Sequence, residues 1–481
     1  MLRGCLQEAD YTHSRVAERL GGVGLAALER NETTPGRQAT ELADDRLNTL
    51  IRLWLLQLPV SATAAEAALP GLVDRLCVQG VLRRSVGEVA AAIDVRPYAT
   101  DTRDLWVASD LTPGLDGSPN RVGPDHVLGV SSASTSLAQL TRREPVRRAL
   151  DLGTGCGVQA LHLADHAAQV VATDVNQRAL RLTELNLALN DVINTEVRDG
   201  SFFDPVTGEE FDLIVTNPPF VISPATGERL VYRDSGLPGD RVVEHIVRSA
   251  PRHLAERGWC QILANWAHVE GRPWDERLGE WIEGADALIV QREVLDPAAY
   301  VELWLRDAGH QGAPDYVHRY DTWLSWFAEQ QITGIGFGWI NLVRSDRSPA
   351  VESLDWPHAV QMPIAQTIVD WGRSQEWLST HDDQALLGER LRLRADVRQE
   401  TYGTPGAEDP EHIVLRQTVG LCRALDVTTE LAAVAGASDG DLALGVVLDA
   451  VEQLLPGADR TSLIEQVREL VRQGFLVVSQ R

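Results

Sequence analysis

Apolar residues recur at three- and four-residue spacing through Leu47, Leu50, Ile51, Leu53 and Leu55, and this periodicity predicts a helix. The stretch LNTLIRLWLLQLPV carries Arg52 and stops at Pro59. It is too short to span a bilayer and reads as a buried helix. A second helix is expected from Leu69 to Cys77, ending at Gly80. EVAAAIDVRPY and DLWVASDL then alternate like short strands. Helices followed by a two-stranded wing predict a helical, winged-helix-like domain over residues 1–108.

From 109 to 348 strand and helix signals alternate. The strands are RRALDL, QVVATD, NTEVRD, FDLIVTN, WCQILAN, ALIVQREV and ITGIGFGWINLV, with helical stretches such as QRALRLTELNLALN between the earlier ones. Such alternation predicts an α/β domain with a mostly parallel sheet covered on both faces. The last strand follows a long helical insert around Tyr300–Glu329, and is expected to run antiparallel and close the sheet. Residues 349–481 open on a Trp- and Pro-containing stretch and end in helices. Their tail, SLIEQVRELVRQGFLVVSQ, echoes LPGLVDRLCVQGVLRRS near the start: an amphipathic helix, Gln-Gly, then an apolar strand. A second winged-helix-like, α+β module is therefore expected, although helix–Gly–strand is also a common pattern in its own right. GTPGAEDPEH reads as a surface loop.

Chemistry enters at Asp151-Leu152-Gly153-Thr154-Gly155-Cys156-Gly157, between a strand and the helix VQALHLADH. Gly153, Gly155 and Gly157 let the backbone turn tightly against a ligand without a Cβ clash, and the first helical amides face that ligand. A dinucleotide fingerprint wants G-x-G-x-x-G; here its last position is Val158. A carboxylate at Asp151 would repel a pyrophosphate but pair with the amino group of S-adenosylmethionine (SAM). Asp174 ends the second strand, where an acidic residue can accept both hydroxyls of a ribose. The alternative is a helix cap for the segment starting at Asn176. At the end of the third strand, Asp199-Gly200-Ser201 can take an adenine amino group through Asp199, or be a plain turn.

The fourth strand, FDLIVT, runs into Asn217-Pro218-Pro219-Phe220. The prolines fix the backbone and donate no hydrogen bonds. The Asn217 side-chain oxygen and the Pro218 carbonyl can then accept both N–H bonds of a planar NH2 group, and Phe220 can stack on it. Gripped this way, the nitrogen lone pair leaves conjugation and faces a methyl donor.

The run from about 126 to 266, carrying these motifs in order, resembles the HemK/PrmC-like branch of class I methyltransferases. It also resembles the "small" methyltransferases of rRNA and tRNA amino groups. The resemblance implies a Rossmann-like sheet of seven strands, SAM as cofactor, and transfer to a protein glutamine, or alternatively to an RNA exocyclic amine. It implies that Asn217 holds the substrate nitrogen and that Asp174 and Asp199 hold SAM. Within SSASTSLAQL, it implies that Thr135 contacts SAM. The glutamine enzymes usually carry Tyr where this chain has Phe220. By contrast, VISP and the following RDSGLPGDRVVEHIV look more like the glutamine branch. The flanking segments lie outside the resemblance.

Composition narrows the picture further. All 44 basic side chains are Arg, which excludes a Schiff-base or P-loop lysine. The net charge of −25 opposes a long nucleic-acid footprint. Five scattered cysteines without C-x-x-C, and an N-terminus lacking an apolar signal segment, point to the cytoplasm. No membrane and no metal is expected; His162 and His166 read as a surface-facing pair rather than ligands. Cys156 reads as a small loop residue, and Arg142, Arg143, Arg147 and Arg148 as a solvated connector. The partner expected is a protein, such as a translation factor, with rRNA or tRNA as the alternative. A third reading is a regulatory protein that only senses SAM.

Overall fold

The computed structural model describes residues 1–41, 45–118, 122–224, 236–406, 410–455 and 457–479. Contacts divide it into two units: residues 1–138 with 144–356, and residues 139–143 with 357–481.

An eight-stranded sheet organises the first unit. Its strands are β1 (Val146–Leu152), β2 (Ala167–Asp174), β3 (Thr195–Asp199), β4 (Phe211–Thr216), β5 (Leu254–Val269), β6 (Ala285–Leu295), β7 (Ile332–Arg344) and β8 (Val351–Asp355). Their order is β8-β6-β7-β5-β4-β1-β2-β3. Strand β7 runs antiparallel to both neighbours, and the other pairings are parallel. Strands buried on both faces need near-continuous apolar runs; accordingly Leu150, Val171, Ile214 and Ile262 are fully buried. All seven expected strands are present, but two expectations need correction. Strand β7 does not close the sheet; it lies between β5 and β6. An eighth strand, β8, adds to β6 at the edge. VESLD is short and only half-buried, as edge strands are, so its apolar pattern was too weak to announce it.

The helices that follow are α1 (Ser132–Leu140), α2 (Val158–Leu163), α3 (Gln177–Leu189), α4 (Arg241–Ser249), α5 (Trp274–Gly279), α6 (Pro297–Asp307) and α7 (Tyr316–Glu329). The last two are the insert expected before β7. Helix α6 starts where Asp296 Oδ1 accepts the amides of Ala298 and Ala299 at 2.9 and 3.0 Å, with Pro297 at its first position. Under β7 the Trp266 ring needs space that only glycine leaves: a Cβ on Gly338 would fall on the Val290 carbonyl and on that ring. Gly338→Ala is therefore expected to cost roughly 1–3 kcal/mol, read as a lower thermal midpoint.

Ahead of α1 the described residues hold six α-helices, among them Arg46–Leu50 and Val73–Val78, and a three-stranded antiparallel sheet of Val60–Ser61, Glu88–Ala91 and Leu82–Ser85. The predicted helix begins at Arg46, where the Asp45 carboxylate accepts the Asn48 amide at 2.8 Å, and continues as a π-helical turn to Leu55. Leu50, Ile51, Leu53 and Trp54 are all fully buried, as a helix apolar on every side requires. EVAAAIDVRPY is not one strand. It breaks after Ala91, and its second half forms a hairpin, Asp94–Ala99 with Asp104–Ser109. A continuous apolar core runs from Leu6 and Trp54 through Trp106 to Val158 and Leu161.

In the second unit, Arg390–Leu393 pairs with Asp439–Ala443 and Leu476–Val478, and a separate three-stranded meander spans Val397–Tyr402, His412–Gln417 and Ala424–Val427. The echoed segments share one local geometry. Gly80 and Gly474 adopt φ of 73° and 72°. In the first, Val81 N–H donates to Leu76 O and Gly80 N–H to Cys77 O; in the second, Phe475 donates to Leu470 and Gly474 to Val471. Each helix thus ends in the same left-handed glycine cap. Of two sequence readings, 407–409 in GTPGAEDPEH and 233–235 in RDSGLPGDRVVEHIV lie outside the described residues. No helix among the described residues is long and apolar enough to cross a membrane.

Candidate functional site

Register places the site. Leu152 of β1 pairs with Thr173 of β2 and with Thr216 of β4. Gly153, Asp174 and Asn217, each one residue further on, therefore stand abreast at the C-terminal edge. Strand order reverses on either side of β1, which is where open α/β sheets bind ligands. Bonds between strand ends hold the edge: Thr216 Oγ1 donates to Leu152 O at 2.7 Å, and the Gly153 and Thr154 amides donate to Thr173 O at 2.9 Å. Beyond it opens a cavity of about 250 Å3.

The glycine loop forms one wall. Gly153, Gly155 and Gly157 have φ of 78°, 58° and 83°, values that side chains with a Cβ rarely adopt. Asp151 is almost fully buried, and its Oδ2 accepts the Thr154 hydroxyl at 2.6 Å and the Ala160 amide at 2.9 Å. Burial raises its carboxyl to about 7 against those hydrogen bonds, with Asp174 adding repulsion. Asp174 accepts the Gly155 amide on Oδ2 and the Asn176 amide on Oδ1, both at 2.9 Å. Burial raises it as well. The cap of α3 is Asn176, whose Oδ1 accepts the Arg178 amide. Asp174 is thus left to the loop and the cavity it lines. Cys156, also on the wall, is buried, and burial pushes its thiol up to about 12, which suits a loop residue and not a nucleophile.

Asn217, Pro218 and Pro219 line the opposite side. Asn217 Oδ1 is buried and, among the described residues, has no hydrogen-bond partner. An acceptor left this way costs about 1–3 kcal/mol, and such an exception asks for an explanation in a ligand. Phe220 does not line the cavity; it packs, half-buried, against the core that includes Phe203 and Trp266. Gly200 lines the cavity, whereas Asp199 is exposed at the end of β3, opposite Asp174 in register. Thr135 lies on α1 with its hydroxyl donating to Ser131 O and Ser132 O, and Ser131 and Ser134 line the cavity in its neighbourhood.

Sequence reading missed a strap. His126, Val127, Leu128 and Gly129 line the cavity from a segment without periodic pattern. It is tied down at Asp110, which accepts the Val127 amide at 2.8 Å, and at Asn176, whose Nδ2 donates to Asp125 O at 2.9 Å. Phe202 and Ile246 add apolar surface to the same cavity. The two histidines also need correction. His162 is buried, and its Nε2 lies 2.7 Å from the Tyr98 hydroxyl; α2 ends at Leu163, so His166 is not on the helix at all. In the basic run, Arg147 is exposed, while Arg148 pairs with Glu209 and lies over the Phe211 ring.

In sequence, part of the chain is similar to known methyltransferases. Residues 129–274 match the family model "Methyltransferase small domain", and residues 8–92 match a domain of unknown function (DUF7059). A release factor glutamine methyltransferase from Xylella fastidiosa is 34% identical over 132 residues, 25% of this chain and 47% of that protein. A ribosomal protein uL3 glutamine methyltransferase from Bradyrhizobium diazoefficiens is 34% identical over 42% of this chain and 63% of its own length. Ribosomal RNA small subunit methyltransferase C from Idiomarina loihiensis is 32% identical over 31% of this chain and 39% of its own length. The chain thus spans about half the length of the curated relatives it matches. Residues 129–274 thus match a methyltransferase small domain, and over this region the chain is similar to protein glutamine methyltransferases and to an rRNA methyltransferase.

Proposed function

We propose that this chain is a SAM-dependent N-methyltransferase acting on a planar amide or amino nitrogen, with a protein glutamine side chain as the acceptor. The observation that carries it is Asn217 Oδ1, a buried acceptor without a described partner on the wall of a nucleoside-sized cavity. The residues present fit SAM. Asp174 keeps lone pairs for the ribose hydroxyls after accepting two amides. Asp151 offers negative charge to the ammonium group, Gly153 and Gly155 bring the loop backbone to the cavity wall, and Gly200, on the same wall and next to Asp199 in the chain, marks the side expected to take the adenine. Thr135 is not on the cavity wall, and its neighbours Ser131 and Ser134 take the place expected of it. SAM supplies, when bound, an electrophilic methyl group.

The chain's own work is positioning. Asn217 Oδ1 and the Pro218 carbonyl accept the two N–H bonds of the acceptor, turning its lone pair out of conjugation. Pro219 carries no amide hydrogen to compete for those acceptors, and Phe220 braces the turn from the core side. A proton leaves the nitrogen for solvent, so a strong general base is unnecessary, and the rate comes from orientation and electrostatics. Labelled SAM incubated with the protein and cell extract, with and without ribonuclease, tests the acceptor. A labelled protein band that survives ribonuclease is expected, and its disappearance defeats the protein version. Methylation of an rRNA or tRNA amine is the second reading, favoured by Phe220 and by the rRNA-named relative. The charge of −25 opposes it; steep salt dependence of RNA binding would be its signature.

Asp151 makes SAM binding pH-dependent. Its carboxyl titrates at about 7, and only the ionised form attracts an ammonium. Affinity should weaken as pH falls below about 7, by up to about tenfold per unit, and Asp151→Asn should flatten that profile. Without ligand the sign reverses. The folded state holds a proton that the unfolded chain, near 3.8, has released. The contribution of Asp151 to stability therefore falls as pH rises from about 4 to about 7, a slope that Asp151→Asn should remove. Calorimetric titrations and thermal melts across this range check both signs.

A further inference from the structure

Helix α3 carries a polar inner face. Thr183 and Asn186 of α3 and its C-cap residue Asn190 are spaced three and four apart, hence lie along one side, and all are buried. The two asparagines treat strand Asp104–Ser109 as a neighbouring strand would. Trp106 N–H donates to Asn190 Oδ1 at 2.9 Å, and Asn190 Nδ2 donates back to Trp106 O at 2.8 Å. Ala108 N–H donates to Asn186 Oδ1 at 2.7 Å, and Asn186 Nδ2 donates back to Ala108 O at 2.8 Å. Trp106 and Ala108 are two apart, so both present the same backbone edge.

The two rungs differ in one respect. Asn186 Nδ2 also donates to Cys156 O, inside the glycine loop, at 2.7 Å. Beside it, Thr183 Oγ1 donates to Gly155 O at 3.0 Å. In a planar trans peptide the C=O and N–H point opposite ways, so anchoring the Gly155 carbonyl on α3 turns the Cys156 amide away from that helix. Anchoring the Cys156 carbonyl fixes the next peptide, whose Gly157 amide closes the turn onto Thr154 O at 2.8 Å. Asn186 is the side chain through which a strand at the end of the N-terminal segment and the loop of the cofactor cavity share one amide group.

We propose that Asn186 is a positioning residue that couples docking of strand Asp104–Ser109 to the shape of the glycine loop, so that the N-terminal segment helps set cofactor affinity. This rests on the reading that the cavity takes SAM. Removing the side chain strands the buried Cys156 carbonyl and frees the loop, whereas removing Asn190 breaks a rung without touching the loop.

Calorimetric titration of the full-length chain with SAM separates the two. Asn186→Ala and Asn190→Ala should both lower the thermal midpoint, because each loses a pair of backbone bonds. Only Asn186→Ala should weaken SAM, by about tenfold. Equal SAM affinity in the two variants overturns the coupling while leaving the SAM reading intact; no SAM binding by the wild type overturns both. Should Asn186→Ala not fold, hydrogen exchange of the wild type decides. Saturating SAM should slow the Ala108 amide several-fold relative to amides of strand His412–Gln417 in the other unit, and equal change at the two places contradicts the coupling.

Discussion

Asn217→Ala is expected to lower methyl transfer from labelled SAM by roughly 10²–10³-fold, the range seen when one preorganised polar group is lost from a reacting centre. SAM affinity should stay close to wild type, because the contacts proposed for the ribose and the ammonium group are at Asp174 and Asp151. The thermal midpoint should hold steady or rise. An acceptor buried without a partner among the described residues destabilises the folded protein, and truncating it removes that cost, the pattern expected where function is kept at the expense of stability. A residue that merely shaped the turn would give the opposite signature, with stability falling together with activity. Transfer within a few-fold of wild type would remove Asn217 from the chemistry.

Asp240→Ala should have the largest effect on stability. Asp240 stands at the start of α4, with its side chain largely buried against Arg277 of α5. Its Oδ2 also accepts the Ala267 amide of β5 at 2.9 Å, while Arg277 Nη2 donates to Ala267 O at 2.7 Å. Arg277 further lies 5.0 Å from the Trp281 ring centre. Removing the carboxylate leaves a buried guanidinium without its counter-charge, which costs about 3–5 kcal/mol. Replacing both partners by apolar residues, Asp240→Leu with Arg277→Met, should recover much of that, since the desolvation penalty disappears along with the attraction. Urea unfolding of the single and double variants reads both effects. Because α4 also carries Ile246 to the cavity wall, the single variant should lose SAM affinity as well as stability.

Strand ends made the candidate site legible. Asp151, Asp174 and Asn217 each follow an apolar run that only a buried parallel strand needs, so their place at one sheet edge could be read before any geometry. The strap at His126–Gly129 could not be read in this way. It has no period, and what holds it are the side chains of Asp110 and Asn176, distant in the chain. The misreading of His162 has the same origin. A four-residue spacing to His166 suggests one helical face, but the helix stops at Leu163, and the partner of His162 is Tyr98 from a hairpin 64 residues away. Phe220 was placed by its neighbours in the motif as a stacking face for the acceptor, whereas packing draws it toward the core. Strand β8 was hidden because an edge strand needs no apolar alternation. Local pattern reports what one element buries; it does not report which remote side chain will satisfy that element's polar groups.

A crystal structure of the protein with SAM bound tests the central claim most directly. The expected result is the ribose on Asp174, with the sulfonium methyl facing the Asn217 side-chain oxygen. A cofactor bound elsewhere, or a methyl group turned away from residues 217–218, would contradict it.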